Sequence, residues 1–276
     1  MTWHASLALD YSLRDGRSIA HFKHEGPLRI LQSLYPQGEA ICHNILVHPP
    51  GGLVGGDRLD IGIHVGEQAH GLITTPGATR FYRSLGEPAV QRTEIRLGSG
   101  ARLEWLPMEA LCYSGCLAEN RLHISLAPGA ELLGWDITAL GLPQADQPFV
   151  QGQLLQHIEV PGLWLERARI RADDHALMNH PLALAGHRCL GTLFMVCGQP
   201  LERQRRERLL EAARDVLAGH GLDASAGVTA VNEQVLMLRV LAPLVEPAMG
   251  LLRAVWQAWR LQAWQLEGPM PRIWST

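Results

Sequence analysis

The amino-acid sequence predicts a mainly β (α+β) protein, in which stacked, β-solenoid-like sheets are followed by a smaller C-terminal helical part. Two observations carry this prediction. From about residue 5 to 195, apolar and polar residues alternate in short runs separated by turns, which is typical of strands. Helical patterns dominate only after residue 200. Because strands and helices are segregated, we divide the chain into a β-rich body at 1–199 and an α-rich segment at 200–276, packed on it as one structural unit.

A strand–turn–strand unit occurs three times in the β-rich body. In each unit, the first strand ends in a glycine-containing turn and an alanine, and a second strand follows. The three alanines are Ala69, Ala101 and Ala130. A period of about 30 residues indicates either stacked hairpins or a β-solenoid-like pile of sheets.

The α-rich segment contains two helical patterns. The first begins at Pro200 and continues with good helix formers over 201–218, with glycines just beyond its end. The second covers 247–264 and carries its apolar residues on one face. Between them, 227–240 has a strand-like apolar pattern.

Composition limits the classes of protein that this chain can belong to. The 276 residues are 47% hydrophobic and 18% charged, as in globular proteins. The net charge of −3 gives no electrostatic case for a nucleic-acid or membrane partner. The N-terminus lacks a signal-peptide pattern, and the five cysteines lie mostly in apolar stretches. We therefore expect a cytoplasmic protein with free thiols.

A glycine-rich segment at 48–60 is the most unusual stretch of the sequence. Gly55 and Gly56 allow the backbone to approach a ligand or another chain closely. The segment is not a phosphate-binding P-loop, because no Lys-Ser/Thr pair follows it and the next element is a strand. It forms either a tight pair of turns or a turn that aims Asp57 into a polar passage.

The next motif, at 71–84, combines clustered hydroxyl groups with two arginines. Thr79 and Arg80 lie at its centre. Arginine beside hydroxyl groups can bind an oxyanion, but a strand–turn–strand with solvated arginines explains the same pattern.

Three acidic residues lie beside tryptophans in apolar surroundings: Glu104, Asp136 and Glu166. Ionised carboxylates are rarely buried without a partner. Either arginines pair with them, for example Arg167 or Arg169 with Glu166, or water and cations reach them. The second alternative suits a protein that handles a cation reversibly.

Two cysteines, Cys112 and Cys116, have a spacing that could hold a metal on one helical turn, although buried free thiols explain them equally simply.

Gly-x-Ser-x-Gly, His-Glu-x-x-His and Walker motifs are absent from the sequence. We therefore do not expect an enzyme. A metal-independent β-scaffold binding module and a hydrolase with an acidic pair and a histidine stay as alternatives.

Five segments, taken together, resemble one family. They are HPPGGLVGGD at 48–57, LITTPGATRFYRS at 72–84, LEWLPME at 103–109, GWDI at 134–137 and PRIWST at 271–276. In this order they make the whole chain resemble the urease accessory protein D family, called H in some bacteria. The chain departs from the family pattern at Leu142, which stands where an arginine is usual.

The resemblance implies a non-enzymatic scaffold with a β-helical body, acting in nickel insertion into urease. Such a scaffold binds the F-type accessory protein, which recruits the G-type GTPase, and it also contacts the urease apoprotein. Nickel in transit would cross an internal water-filled passage. No cofactor would be bound permanently, and GTP would act only through the partner GTPase.

On this basis we assign candidate residues to three roles. Transient nickel contacts are Asp57, Asp136 and Glu166. Passage walls or motif positions are Gly55, Gly56, Thr79, Arg80 and Glu104. Partner-binding residues are Trp256, Trp259, Arg272 and Trp274, because tryptophans concentrated near the C-terminus could form an exposed apolar patch. The alternative is that these tryptophans fill the core of the chain itself.

Overall fold

The computed structural model describes residues 2–275. The strands of its first half are β1 His4–Arg14, β2 Arg17–Glu25, β3 Arg29–Leu34, β4 Ile41–Val47, β5 Arg58–Val65, β6 His70–Thr74, β7 Thr79–Phe81, β8 Ala89–Leu97, β9 Arg102–Leu106 and β10 Ala110–Cys112. The remaining strands are β11 Cys116–Leu126, β12 Glu131–Leu142, β13 Gln147–Pro148, β14 Gly152–Val160, β15 Trp164–Arg171, β16 Cys189–Cys197, β17 Ala226–Ala230 and β18 Val235–Ala242. The α-helices are α1 His175–Asn179, α2 Arg203–Ala218 and α3 Val245–Trp264.

Two sheets form the body. The outer sheet has the order β15-β14-β11-β8-β5-β1-β2, and its five middle strands run parallel. The central sheet has the order β17-β18-β16-β12-β9-β6-β4-β3, with β7, β10 and β13 attached at its side. Its strands β4, β6, β9 and β12 are also parallel.

The chain reaches each parallel neighbour by passing through the other sheet, as in a solenoid. β5, β8 and β11 lie in the outer sheet, whereas β6, β9 and β12, which follow them, lie in the central sheet. The turns between them stack: Gly98 N–H donates to Val65 O at 2.8 Å, and Ala127 N–H donates to Leu97 O at 2.9 Å. The solenoid prediction is therefore confirmed, and the alternative of stacked hairpins is wrong.

The repeated alanines mark the inner corners of these turns. Ala69, Ala101 and Ala130 are all fully buried. A larger side chain at a close-packed corner would strain the stacked turns, which explains why a small residue recurs with the period of the solenoid.

The molecule has three layers, with an apolar core between each pair. One core lies between the two sheets, and the other lies between the central sheet and helices α2 and α3. Strand β18 pairs with β16, so the central sheet continues across residue 200 and the two parts of the chain share it. No helix within residues 2–275 is long and apolar enough to cross a membrane.

The second core contains the C-terminal tryptophans. Trp256 and Trp259 are fully buried, and Trp274 is only 9% exposed. Trp256 and Trp274 pack edge to face, with ring centroids 5.5 Å apart. The expectation of an exposed tryptophan patch is therefore wrong, because α3 packs Trp256 and Trp259 into the second core and Trp274, which lies beyond the helix, packs against Trp256. Arg272 is exposed, and its role in partner binding stays a prediction.

Helix α2 begins later than the sequence predicts. Leu201 N–H donates to Glu233 O at 2.8 Å, which keeps the chain extended, and the first helical residue is Arg203 instead of Pro200. The strand-like segment after α2 forms two antiparallel strands, β17 and β18, at one end of the central sheet.

Candidate passage between the two sheets

Two cavities lie between the outer and the central sheet. The His48 cavity has a volume of about 260 Å³, and its polar lining residues include His48, Thr75, Thr79, Arg80 and Gln91. The Asp136 cavity has a volume of about 390 Å³, and its polar lining residues include Asp136, Thr138, Gln156, Glu166, Thr192 and Arg239. Four of the residues predicted from sequence, Thr79, Arg80, Asp136 and Glu166, therefore face one of these cavities.

A line of polar side chains joins the two cavities through the apolar core. Gln91 Nε2 donates to Asn120 Oδ1 at 3.4 Å, and Asn120 Nδ2 donates to Asp136 Oδ2 at 3.0 Å. Gln91 lines the His48 cavity and Asp136 lines the other. Buried polar groups need hydrogen-bond partners. Here each of the three side chains bonds to the next, from one cavity to the other.

The side-chain carboxyl of Asp136 has a raised pKa. Burial raises the pKa of its carboxyl to about 6, and the nearby Glu166 charge adds to the rise. The side chains of Gln156, Thr138 and Asn120 favour the ionised form and limit the increase. The carboxyl can therefore gain or lose a proton close to neutral pH.

Glu166 pairs across the two sheets rather than along its own strand. Its Oε2 lies 2.5 Å from Nη2 of Arg239, which belongs to β18 of the central sheet. The sequence-based alternative of Arg167 or Arg169 as partner is wrong, because alternation along β15 directs those neighbours away from the face that Glu166 occupies.

Gln156 is the most unusual polar residue of the Asp136 cavity. Its side chain faces the cavity from β14, and the residue is only 7% exposed. Among the described residues, neither Oε1 nor Nε2 of its amide has a hydrogen-bond partner. The amide is close enough to Asp136 to favour the ionised form of that carboxyl, but no hydrogen bond of normal geometry fixes it there.

Asp57 has a structural role instead of facing the cavities. It is 5% exposed, and its carboxylate accepts hydrogen bonds from Trp3 N–H at 2.8 Å and Val54 N–H at 2.9 Å. Gly56 has a φ of +90°, and a Cβ at Gly55 would collide with Ser84. The glycines therefore shape a tight turn that Asp57 holds closed, and the expectation of a passage role for these three residues is not supported.

Glu104 lies on the opposite face of the central sheet, in the core under α3. It is fully buried, and its oxygens accept hydrogen bonds from His70 Nε2 at 3.0 Å and Trp256 Nε1 at 2.8 Å. Arg260 Nε lies 3.0 Å from it. Burial alone would raise the pKa of this carboxyl, but His70 and Arg260 outweigh it and hold the pKa below its usual value. Glu104 thus joins α3 to the sheet.

The two cysteines do not share a helical turn. Cys112 ends β10 and Cys116 begins β11, and both are buried free thiols. In the part of the chain that the structure describes, no group of three or more His, Cys, Asp or Glu side chains could hold a metal ion. Leu142 is the last residue of β12 and contributes to neither cavity.

Several polar residues of this site were not predicted from the sequence, among them Gln91, Asn120, Gln156 and Arg239. For two of them, the alternation of apolar and polar residues along the strand could have indicated the site. Asn120 and Gln156 occupy inward positions, flanked two residues away on both sides by apolar side chains. A polar residue that interrupts the buried face of a strand is a candidate for an internal polar site.

The fold and the site together define a class: a β-solenoid protein in which a line of polar side chains joins two cavities between its sheets. Comparison with known proteins identifies the family. The model of the UreD urease accessory protein family matches residues 4–275, and the chain belongs to that family.

Curated relatives agree over their full lengths. The chain is 65% identical over 276 residues to the urease accessory protein UreD of Variovorax paradoxus (strain S110), and the match covers 100% of both chains. It is 64% identical over 275 residues to that of Polaromonas sp. (strain JS666 / ATCC BAA-500) and 51% identical over 278 residues to that of Leptothrix cholodnii (strain ATCC 51168 / LMG 8142 / SP-6), again with full coverage. The family resemblance is confirmed. Because these are accessory proteins and not enzymes, the non-enzyme prediction is also confirmed and the hydrolase alternative is wrong.

Proposed function

We propose that this chain is a cytoplasmic scaffold for urease maturation that passes nickel through its interior to the urease apoprotein. It binds the apoprotein and the F-type accessory protein, and the F-type protein recruits the G-type GTPase that supplies the nickel. Family membership supports the urease role. The nickel route is carried by one observation, the line Gln91–Asn120–Asp136 that joins the two cavities.

The chemistry of the route suits an ion in transit. Its donors are amide and carboxylate oxygens on separate strands, which bind divalent cations more weakly than a closed set of thiolates and imidazoles. An ion that must leave again needs several weak sites instead of one tight site. Glu166 and Asp136 supply negative charge at one end, and Asn120 and Gln91 supply neutral oxygens between the cavities.

The substitution Asn120→Leu tests the route at the residue that links Gln91 to Asp136. Leucine branches at Cγ as asparagine does but carries two methyl groups in place of the amide, so it interrupts the polar line between Gln91 and Asp136. We expect urease matured with this variant to contain less nickel per assembled complex than urease matured with the wild-type chain. Arg169→Gln, on the outward face of β15, is the matched control and should leave the nickel content unchanged.

A second variant, which fills the Asp136 cavity, tests the route even if Asn120→Leu is unstable. Thr192→Phe places a ring into the Asp136 cavity, which has room for it. Normal nickel content in urease matured with both variants, while complex assembly in pull-downs is also normal, would contradict the proposed route.

The second candidate function is a metal-independent binding scaffold. It is favoured by the absence of a clustered metal-ligand set within residues 2–275. On this account the polar line only satisfies buried groups, and each variant would lower urease activation in proportion to the complex lost. The ratio of nickel to assembled complex separates the two functions.

A further inference from the structure

A row of side chains leads from the interior of the Asp136 cavity to the edge of the molecule. Asp136 on β12 lies opposite Thr192 on β16, and Thr192 lies opposite Arg239 on β18. All three line the cavity. Asp136 is the inner member, whereas the Arg239 side chain is 58% exposed at the outer end. The guanidinium of Arg239 therefore stands at the mouth of the cavity.

The Arg239 guanidinium is paired with the carboxylate of Glu166, which also lines the cavity. Glu166 reaches it from the outer sheet, so the ion pair spans the gap between the sheets. The Nε of Arg239 also contacts Met237 Sδ at 2.9 Å. A pair exposed to this extent is held weakly because water competes for both partners. The guanidinium can therefore leave Glu166 when a stronger partner arrives.

The interior of the cavity has donors ready for such a partner. Gln156 is more than nine-tenths buried, and both polar atoms of its amide lack a hydrogen-bond partner among the described residues. It faces the same cavity as the carboxylates of Asp136 and Glu166. Amide and carboxylate oxygens are ligands for divalent cations. The cavity therefore combines two acidic side chains, one amide that no hydrogen bond of normal geometry fixes, and one guanidinium at its mouth.

From these contacts we propose that Arg239 is a built-in competitor for divalent cations: its guanidinium holds Glu166 and must be displaced when an ion enters the Asp136 cavity. With Arg239 in place, one of the two carboxylates is already neutralised. When the arginine moves into solvent, both carboxylates face the ion, and when the ion leaves, Arg239 returns to Glu166. The exchange keeps binding reversible. This inference rests on the proposed function for its biological meaning, but it concerns cation binding by the chain alone.

Nickel binding to the full-length chain tests the proposal, with Ni²⁺ alone as the probe in equilibrium dialysis. Arg239→Gln removes the competing charge and should tighten Ni²⁺ binding up to about fivefold, because the ion no longer has to displace an exposed ion pair worth up to about 1 kcal/mol. It should also slow the loss of Ni²⁺ to an added chelator. Arg239→Lys keeps a competing charge and should stay close to the wild type. Glu166→Gln should weaken binding, and Arg169→Gln is the control for a lost surface charge.

An affinity of Arg239→Gln equal to or weaker than that of the wild type would overturn the proposal. Equal changes in Arg239→Gln and Arg239→Lys would also overturn it, because the effect would then come from lost packing and not from charge. Thermal melts of both variants establish that the folded chain is being compared. The proposed function can fail while this proposal holds. If Arg239→Gln tightens Ni²⁺ binding but Asn120→Leu leaves the nickel content of urease normal, Arg239 competes with the ion and nickel does not reach urease by this route.

Discussion

Replacing Asp136 with asparagine is expected to stabilise the folded chain at neutral pH. Burial and the Glu166 charge raise the pKa of the Asp136 carboxyl from 3.8 to about 6. A rise of about two pKa units means that the ionised carboxylate opposes folding by roughly 3 kcal/mol. The amide removes that cost but weakens the hydrogen bond from Asn120, which is worth about 1 kcal/mol. We therefore expect a gain of about 1–2 kcal/mol in the free energy of unfolding.

The gain should depend on pH in a defined direction. Because the pKa is higher in the folded chain than in the unfolded chain, the folded state binds more protons between about pH 4 and pH 6. The wild type therefore loses stability as the pH rises through this window. The advantage of Asp136→Asn should be full above it and disappear below it. Urea unfolding of both proteins across this range measures the difference.

Asp60 provides a matched control, because its pKa is shifted in the opposite direction. Burial alone would raise the pKa of its carboxyl, but hydrogen bonds from Arg58 and His4 lower it overall. Asp60→Asn should therefore lose stability at neutral pH. If Asp136→Asn were destabilised in the same way, the carboxylate of Asp136 would have a cationic partner in the folded chain, and the reasoning about an ion-accessible cavity would be refuted.

Other sites have different expected responses. Asp57→Ala should lower the melting temperature and reduce the yield of complex in pull-downs, because the N–H of Val54 loses its acceptor at a cost of about 1–3 kcal/mol; an unchanged melting temperature would contradict this. Glu104→Gln should cost about 3–5 kcal/mol in urea unfolding, because Arg260 becomes an uncompensated buried cation; a mild effect would show that water reaches the pair. Burial lowers the pKa of His43 to about 4, so the unfolded chain takes up its proton first, and stability should fall as the pH drops from about 6.5 to 4; His43→Gln should flatten this slope.

The fold could be predicted because it depends on local patterns. Alternation identifies the strands, and a small residue recurs at each stacked corner, at Ala69, Ala101 and Ala130. Which strands pair is not a local property. The distinction between hairpins and a solenoid therefore depended on the structure, in which consecutive strands β5 and β6 lie in different sheets.

The site could be predicted only in part, because the partner of a carboxylate is set by tertiary contacts. Asp57, Glu104 and Asp136 all lie in glycine-rich or apolar surroundings in the sequence. Backbone N–H groups hold Asp57, and Arg260, distant in sequence, holds Glu104. Asp136 has only neutral donors and a nearby acid. The same kind of sequence pattern therefore occurs around Asp57 and Glu104, which have structural roles, and around Asp136, which faces a cavity.

The tryptophans show the same limit. Their concentration at 256–274 predicts an apolar surface, but an apolar helix face is equally suited to a partner or to the sheet of its own chain. Trp256 is buried by the central sheet. The prediction that these tryptophans bind a partner therefore loses its basis.

The nickel content of urease, measured per assembled complex, tests the internal route most directly. Urease should be matured with the wild-type chain, with the double variant Asp136→Asn/Glu166→Gln and with the control Arg169→Gln, in the presence of the other accessory proteins. The account predicts less nickel with the double variant at equal complex yield and equal or higher melting temperature, and wild-type nickel with the control. Wild-type nickel content with the double variant would contradict transfer through the Asp136 cavity.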